Sequence, residues 1–179
     1  MVRLFVAVDL PGEIREKIRD CQAELKTGKG RVTLVNPDQI HLTLKFIGEV
    51  DEPTAEKIKE ALKKIRFTSY DLEVGKIQAN SPRRPRVIWC SIRDSGESAE
   101  LHRQVEEVLE PLGIPREERA FTSHATVARV KSYHPDLDDA LKQLEGREFG
   151  SCKVERIILK KSTLTPSGPI YEDLMEVSC

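Results

Sequence analysis

The chain has 179 residues, of which 39% are hydrophobic and 33% are charged, and its formal net charge is −1. This composition excludes a disordered chain, and the near-zero charge excludes a protein that binds nucleic acid over its whole surface. No apolar run is long enough to cross a bilayer, and we recognise no signal peptide. We therefore expect a cytoplasmic protein with no membrane contact and a single domain at 1–179, formed by two small lobes that share a core.

Hydrophobic periodicity divides the first part of the chain into alternating strands and helices. The predicted elements are a strand at 1–10, a helix at 12–25, strands at 32–35 and 40–47, a helix at 51–66, and strands at 72–77 and 87–92. Asp51 is suited to the N-cap of the second helix, and Pro53 is suited to its first turn. Strand and helix patterns thus follow one another without a linker.

The second part of the chain also contains both helix and strand patterns. The predicted elements are a helix at 97–112, a strand at 121–130, a short helix at 135–144 and a strand at 154–159, followed by a loop rich in Ser, Thr, Pro and Gly at 161–177 that ends in a strand-like segment. Strands and helices intermix irregularly. This order favours an α+β fold with antiparallel sheets over a doubly wound parallel sheet.

The tetrapeptide His-x-Thr-aliphatic occurs twice, at 41–44 and at 124–127, although the chain has only four histidines. Side chains alternate between the two faces of a strand, so each histidine points the same way as the threonine two residues later. The two copies start 83 residues apart (124 − 41), and each lies between predicted helices. We therefore predict two similar lobes of antiparallel sheet and helices, with the motif strands facing each other across a central cleft.

This pair of motifs suits acid–base cleavage of a phosphoester. One histidine can act as base and the other as acid near neutral pH, because the unperturbed pKa of histidine is about 6.5. The attacking and departing oxygens lie on opposite sides of phosphorus, so the two groups must come from opposing walls. The hydroxyls of Thr43 and Thr126 could donate to the phosphate oxygens. Such a site needs neither a metal nor a cofactor.

Other interpretations of the histidines are weaker. One copy of His-x-Thr is better explained as a chance pair without function. Two copies, both in strand-like segments, are better explained as a functional motif. A metal site is disfavoured, because no Asp, Glu or Cys lies two residues from His41 or His124, and the four cysteines lack metal-ligand spacing. We expect His102 to be a surface residue of its helix and His134 to be a turn residue, neither of them catalytic.

Several cations are further candidates. Lys45 has the same strand parity as His41 and Thr43, which makes it a candidate for the phosphate site. Arg83, Arg84 and Arg86 occupy a proline-stiffened segment, where they form either a solvated loop or a contact to an RNA backbone.

The motifs and their surroundings resemble the 2H phosphoesterases, and within them the RNA 2′,3′-cyclic phosphodiesterases, also called the 2′–5′ RNA ligase family. The resemblance rests on the segments 3–10, 41–49, 86–89, 121–129 and 162–171. The last contains Thr-Pro-x-Gly-Pro-x-Tyr, and the segments together span nearly the whole chain. Ser123 departs from the proline that the family often has before the second histidine.

The resemblance implies a bilobal fold and hydrolysis of a terminal 2′,3′-cyclic phosphate on RNA, tRNA-derived ends included, to a 2′-phosphate. It also implies reversible 2′–5′ ligation of RNA by the same two histidines. It implies that His41 is the proton donor and His124 the proton acceptor, with Thr43 and Thr126 holding the phosphate. It also implies that Arg129 lies near the phosphate, which strict strand alternation allows only with a twist or a bulge.

Phe46 or Trp89 could stack on a terminal base, and either could equally be a core residue. We expect a monomer. Two alternatives stay open at this point: a cyclic phosphodiesterase acting on small nucleotides, and a non-catalytic module that binds RNA ends.

Overall fold

The computed structural model describes residues 1–26 and 28–179, and it confirms the α+β fold. The nine strands are β1 (Val2–Asp9), β2 (Arg31–Leu34), β3 (His41–Val50), β4 (Tyr70–Ala79), β5 (Val87–Arg93), β6 (His124–Ser132), β7 (Gly150–Val154), β8 (Arg156–Thr165) and β9 (Gly168–Ser178). The four α-helices are α1 (Gly12–Gln22), α2 (Glu52–Leu62), α3 (Glu97–Leu109) and α4 (Asp136–Gln143). Short 3₁₀ turns extend α1 and α3, and another precedes β3.

The strands form one antiparallel sheet in the order β7-β4-β5-β6-β3-β1-β8-β9, and β2 also pairs with β6. The sheet consists of two halves, one of β7, β4, β5, β6 and β2 and the other of β3, β1, β8 and β9, because among the described residues β3 and β6 are paired at one position only, Leu42 opposite Ala125. Each half is one lobe, and each ends in a motif strand at this junction. The predicted bilobal arrangement is therefore confirmed, with the motif strands as neighbours in the sheet.

Burial of apolar faces explains how the helices pack on this sheet. Ile14, Ile18 and Cys21 recur at helical spacing along α1 and are buried, and α1 contacts β6. The helices α2 and α3 pack together, and α3 contacts β3. Both motif strands thus have a covered apolar back, which leaves their histidine faces toward the junction between the lobes.

The C-terminal region differs from the prediction. Residues 161–177, predicted to be mostly loop, belong to a hairpin of β8 and β9, and β7 was not predicted at all. The prolines caused the error, since they lie at the turn: Pro166 is in the loop, and Pro169 is at the start of β9 after Gly168, whose φ is 121°. Proline is tolerated there because it is at the first positions of a strand.

Within the described residues, no helix is both long and apolar enough to cross a membrane. All four cysteines are free thiols, with Cys21 and Cys90 buried in the core.

Candidate active site

A cleft of about 340 Å³ lies where β3 and β6 meet. It is lined by residues of both motif strands and by residues of β5, β9, α3 and the segments 35–39 and 117–122: Val35, Gln39, His41, Thr43, Leu44, Lys45, Phe46, Val87, Trp89, His102, Glu117, Arg119, Ala120, Phe121, Thr122, His124, Thr126, Arg129 and Tyr171. The structure therefore brings His41, Thr43, His124 and Thr126 together in one cavity, as the alternation of strand side chains predicts.

The backbone fixes the tautomer of His41. Its Nδ1 lies 2.6 Å from the carbonyl oxygen of Gln39, and a carbonyl only accepts, so Nδ1 carries the proton and donates. Its Nε2 lies 2.9 Å from the Thr43 hydroxyl. In the neutral ring, Nε2 is the atom that can gain a proton and later return it, and it lies on the side of the motif threonine.

His124 is held in the same way. Its Nδ1 donates to the carbonyl oxygen of Thr122 at 2.7 Å, which leaves Nε2 as the exchangeable nitrogen. The Trp89 ring packs against it, with ring centroids 4.3 Å apart. Each motif histidine is thus anchored through Nδ1 to the carbonyl two residues before it, and the two lobes repeat this local geometry.

The register of the junction sets the relative positions of the motif residues. Because β3 and β6 are antiparallel with Leu42 opposite Ala125, His41 is level with Thr126 and Thr43 is level with His124. Each imidazole therefore lies diagonally from the other, next to a hydroxyl of the opposite lobe. A phosphorus atom between the strands can be approached by one imidazole from each side.

Aromatic rings surround His41. The ring of Phe5, itself buried, lies 5.0 Å from it, and Tyr171 meets it edge-on at 5.6 Å. Burial disfavours the imidazolium and lowers the pKa of His41 below its ordinary value of 6.5, although the Gln39 carbonyl and Asp9 act in the opposite direction. His41 is therefore neutral at pH 7 in the free protein.

A bulge in β6 brings Arg129 to the cleft. Ile88 pairs with Ala128 but the next residue, Trp89, pairs with Thr126, so Val127 is extra and the alternation shifts by one. Arg129, five residues after His124, consequently lines the cleft beside Thr126. The predicted position of Arg129 near the phosphate requires a bulge of this kind.

A matching bulge in β3 removes Lys45 from the phosphate position. Thr43 pairs with Ala7 and Lys45 pairs with Val6, so Leu44 is extra. Lys45 lines the cleft, but its ammonium does not point at the phosphate position as predicted: it is buried, 2.9 Å from Glu106 and 2.7 Å from the carbonyl oxygen of Pro115. The structural counterpart of Arg129 in the first motif is Phe46, which is 62% exposed.

His102 is not the surface residue that its helical position indicated. Its Nδ1 donates to the carbonyl oxygen of Leu44 at 2.7 Å, and its ring stacks on Phe121 at 4.5 Å. The side chain is 15% exposed, and its Nε2 lies 3.7 Å from Glu106. The hydrogen bond joins α3 to β3 at the residue that forms the β3 bulge. His134 lies in the short connection before α4, next to the turn at Pro135, outside the cleft and beside Asp136.

The arginine segment is exposed at one end of the cleft. Arg83, Arg84 and Arg86 do not line the cavity, but the Arg86 carbonyl accepts from Val130 N–H, and Val87 is opposite Arg129. The segment therefore continues outward from Arg129.

Trp89 and Phe46 both line the cleft, and neither is buried in the core.

Three residues of the site were not predicted from the sequence. Gln39 orients His41 through its carbonyl, and its side chain donates to the carbonyl oxygen of Pro169 at 2.7 Å. Tyr171 packs on His41, and Phe121 packs on His102. Tyr171 belongs to a segment that carried the family resemblance, but its long-range contact with His41 has no periodic signal. Among the described residues, no group of three or more His, Cys, Asp or Glu is arranged to hold a metal ion.

Two lobes that each bring one His-x-Thr strand to a shared cleft define the class of two-histidine phosphoesterases. The family model described as LigT like Phosphoesterase matches residues 8–89 and 93–171. The chain therefore belongs to the LigT-like phosphoesterase family, and the resemblance found in the sequence is confirmed.

Relatives cover the chain from end to end. A protein of Archaeoglobus fulgidus named RNA 2′,3′-cyclic phosphodiesterase is 39% identical over 174 residues, covering 97% of this chain and 98% of the relative. One of Methanocaldococcus jannaschii with the same name is 36% identical, covering 98% and 99%. The crystal structure of E. coli LigT complexed with 3′-AMP matches with a TM-score of 0.79 at 26% identity, covering 99% of this chain and 97% of that one.

Proposed function

We propose that the protein hydrolyses 2′,3′-cyclic phosphate ends of RNA to 2′-phosphates. The observation that carries the proposal is the pair of cleft imidazoles, His41 and His124, each held through Nδ1 so that Nε2 is the exchangeable atom. Relatives of similar length that are named RNA 2′,3′-cyclic phosphodiesterase support the substrate class.

In the proposed mechanism, His124 Nε2 takes a proton from water as the water oxygen attacks phosphorus. The bond from phosphorus to the ribose 3′-oxygen breaks, and His41 gives that oxygen a proton. Thr43, Thr126 and Arg129 donate hydrogen bonds to the phosphate oxygens, where negative charge accumulates in the transition state. The negative phosphate raises the pKa of His41 when it binds, which converts the neutral ring of the free protein into the acid.

The alternatives differ in how much of the cleft they use. A phosphodiesterase for small nucleotides would need only the central four motif residues, whereas the exposed segment with Arg83, Arg84 and Arg86 beside the cleft favours a longer RNA. Binding of RNA ends without catalysis would not require two imidazoles that are both held through Nδ1 with Nε2 as the exchangeable atom. A cytoplasmic location and a monomeric state stay predictions.

The proposal is tested by turnover. With EDTA present and no divalent ion added, the protein is expected to convert an oligonucleotide with a 2′,3′-cyclic phosphate end to the 2′-phosphate, because the side chains supply acid, base and hydrogen-bond donors. Product can be followed by chromatography of the labelled end. Loss of turnover in EDTA that one particular metal ion restores would contradict the mechanism, and binding without turnover would support the non-catalytic module.

Neutralising the arginine segment should affect long substrates only. With Arg83, Arg84 and Arg86 each changed to Gln, binding of an oligonucleotide should weaken, and the slope of log K against log salt should flatten by about 0.7 for each lost phosphate contact. Hydrolysis of a nucleoside 2′,3′-cyclic phosphate should stay close to wild type. The measurement is a salt titration of affinity for both substrates.

A control variant separates local contact from net charge. Lys57, Lys63 and Lys64 are exposed on or just after α2, away from the cleft, and their replacement by Gln removes the same charge. An equal loss of RNA affinity in this variant, or equal losses on both substrates in the arginine variant, would show that the arginine segment does not track the RNA backbone.

The lowered pKa of His41 has a defined effect on pH dependence. If His41 is the acid, kcat/KM must fall as the pH rises through its pKa in the free protein, so the descending limb lies below pH 6.5. In the pH profile of kcat, the descending limb set by His41 should lie at higher pH, because the bound phosphate anion favours the imidazolium. An ascending limb below pH 6.5 that disappears in His41→Gln would instead assign His41 as the base.

A further inference from the structure

Four charged side chains form a cluster beside His41. Asp9, the last residue of β1, is directly opposite His41 in the pairing of β1 with β3, so the two side chains lie on the same face of the sheet. Lys160 of β8 donates to Asp9 at 3.2 Å and to Asp173 of β9 at 2.6 Å. The Arg15 guanidinium of α1 lies 3.5 Å from the other oxygen of Asp9. The cluster thus joins two cations to two carboxylates, of which Asp9 is the one next to the motif strand.

The Asp9 carboxylate is fixed in place but is only partly neutralised. Its oxygen Oδ1 is shielded from solvent and accepts no hydrogen bond within the described chain, although Arg15 lies near it. Arg15 also donates through Nε to the carbonyl oxygen of Ile40 at 3.2 Å, and Ile40 is the residue before His41. The same guanidinium therefore joins Asp9 to the start of the motif strand. A negative charge shielded from water acts on its neighbours more strongly than one in water.

The charge of Asp9 favours the protonated form of His41. Burial lowers the pKa of His41 and is the largest influence on it. Among the charged groups, Asp9 raises this pKa and acts more strongly than Lys160 and Arg15, which lower it. The topology agrees with this order, because β1 is next to β3 in the sheet whereas β8 lies beyond β1. Asp9 therefore opposes the cost of placing a positive charge on a half-buried ring.

The other ionisable groups that face His41 carry no negative charge at neutral pH. Tyr171 of β9 meets the ring edge-on, and burial raises the pKa of Tyr171, so its phenol is uncharged. His124 and Arg129 of β6 line the same cleft from the other lobe. None of these three groups supplies a negative charge to the imidazole, so that role falls to Asp9.

We propose that Asp9 is a positioning residue for the proton donor of the reaction. Its carboxylate, fixed by Lys160 and Arg15, stabilises the imidazolium that the donor must become before it protonates the departing 3′-oxygen. This inference rests on the proposed function. In the step itself, the proton moves from His41 Nε2 to the 3′-oxygen as the bond from that oxygen to phosphorus breaks. Asp9 neither gains nor loses a proton, and it acts on the substrate only through His41.

A titration of His41 tests the effect of Asp9 without any substrate. Asp9→Asn removes the charge but keeps the shape of the side chain, and Lys160 keeps its contact with Asp173, so the fold is expected to survive. The pKa of His41, followed through the NMR signals of its ring, should be lower in Asp9→Asn than in the wild type. Asp9→Glu keeps the charge, and its His41 should titrate closer to the wild-type pH.

The pH dependence of turnover gives a second measurement. At pH 8, Asp9→Asn should lower kcat/KM for a nucleoside 2′,3′-cyclic phosphate roughly tenfold, the order of one charge pair in a partly buried site. The ratio of variant to wild-type rates should approach one as the pH is lowered, because His41 becomes protonated in both proteins. A nitrophenyl phosphodiester carries the same negative charge but needs no proton on its leaving group, so its hydrolysis should stay close to wild type.

A matched variant controls for the loss of one carboxylate. Glu172 pairs with Lys161 on the opposite face of β8 and β9 from Lys160, and Glu172→Gln should leave both the pKa of His41 and the rates unchanged.

Two results would overturn the proposal. One is an unchanged pKa of His41 in Asp9→Asn, and the other is a loss of rate that is equal at every pH and on both substrates, as a damaged fold would give. A wild-type protein that does not hydrolyse the cyclic phosphate would instead contradict the proposed function, and the NMR titration would still decide whether Asp9 acts on His41.

Discussion

Replacement of either motif histidine is expected to lower cyclic phosphate hydrolysis by roughly 10²–10⁴-fold, the usual contribution of a positioned acid or base. The fold should survive His41→Ala and His124→Ala, since neither imidazole is fully buried and each is held by one backbone carbonyl. Steady-state rates with a fluorescent cyclic-phosphate substrate measure the effect. His134→Ala is the matched control: it removes a histidine outside the cleft and should leave the rate within twofold of wild type.

A substrate with a good leaving group separates the two roles. A nitrophenyl phosphodiester loses its leaving group without a proton, so the absence of the acid matters little while the absence of the base matters as before. If His41 is the acid, His41→Ala should recover much of its activity on this substrate, and His124→Ala should not. Recovery in the His124 variant would exchange the roles, and near-wild-type rates of either variant on the natural substrate would refute the two-histidine mechanism.

Breaking the buried ion pair behind the cleft should have the largest effect on stability. Lys45 and Glu106 are both 4% exposed, and their charged atoms are 2.9 Å apart. Lys45→Met is expected to lower the free energy of unfolding by about 3–5 kcal/mol, because it leaves a carboxylate buried without its partner. The other oxygen of Glu106, Oε2, already has no hydrogen-bond partner in the described chain. Urea unfolding monitored by circular dichroism measures the change.

The double variant and a surface pair show whether charge burial is the cause. Glu106→Gln keeps an oxygen that can accept from the Glu117 N–H but removes the charge, so Lys45→Met combined with Glu106→Gln should be more stable than Lys45→Met alone. Lys63→Met breaks an exposed pair with Glu60 and should cost less than about 1 kcal/mol. A Lys45→Met variant that loses no more stability than Lys63→Met would contradict this account.

Local patterns in the sequence were sufficient for the central part of the site. Alternation in a strand alone places His41 with Thr43 and His124 with Thr126, and the apolar residues between them are buried. The repeat of the same four-residue pattern was also enough to predict two similar lobes. These features depend on neighbours within one strand, which is why they can be predicted without tertiary structure.

Contacts between distant segments decided which further residues belong to the site. Bulges at Leu44 and Val127 reverse the strand parity, so that Arg129 enters the cleft and the Lys45 ammonium binds Glu106 instead of pointing at the phosphate position. A bulge arises from the register of pairing with a neighbouring strand, and no periodic pattern within one segment records that register. In the same way, the partner of His102 is the Leu44 carbonyl of a distant strand, which no pattern within α3 records. The sequence by itself determined which groups could perform acid–base chemistry, whereas tertiary pairing decided which cations and aromatic rings lie beside them.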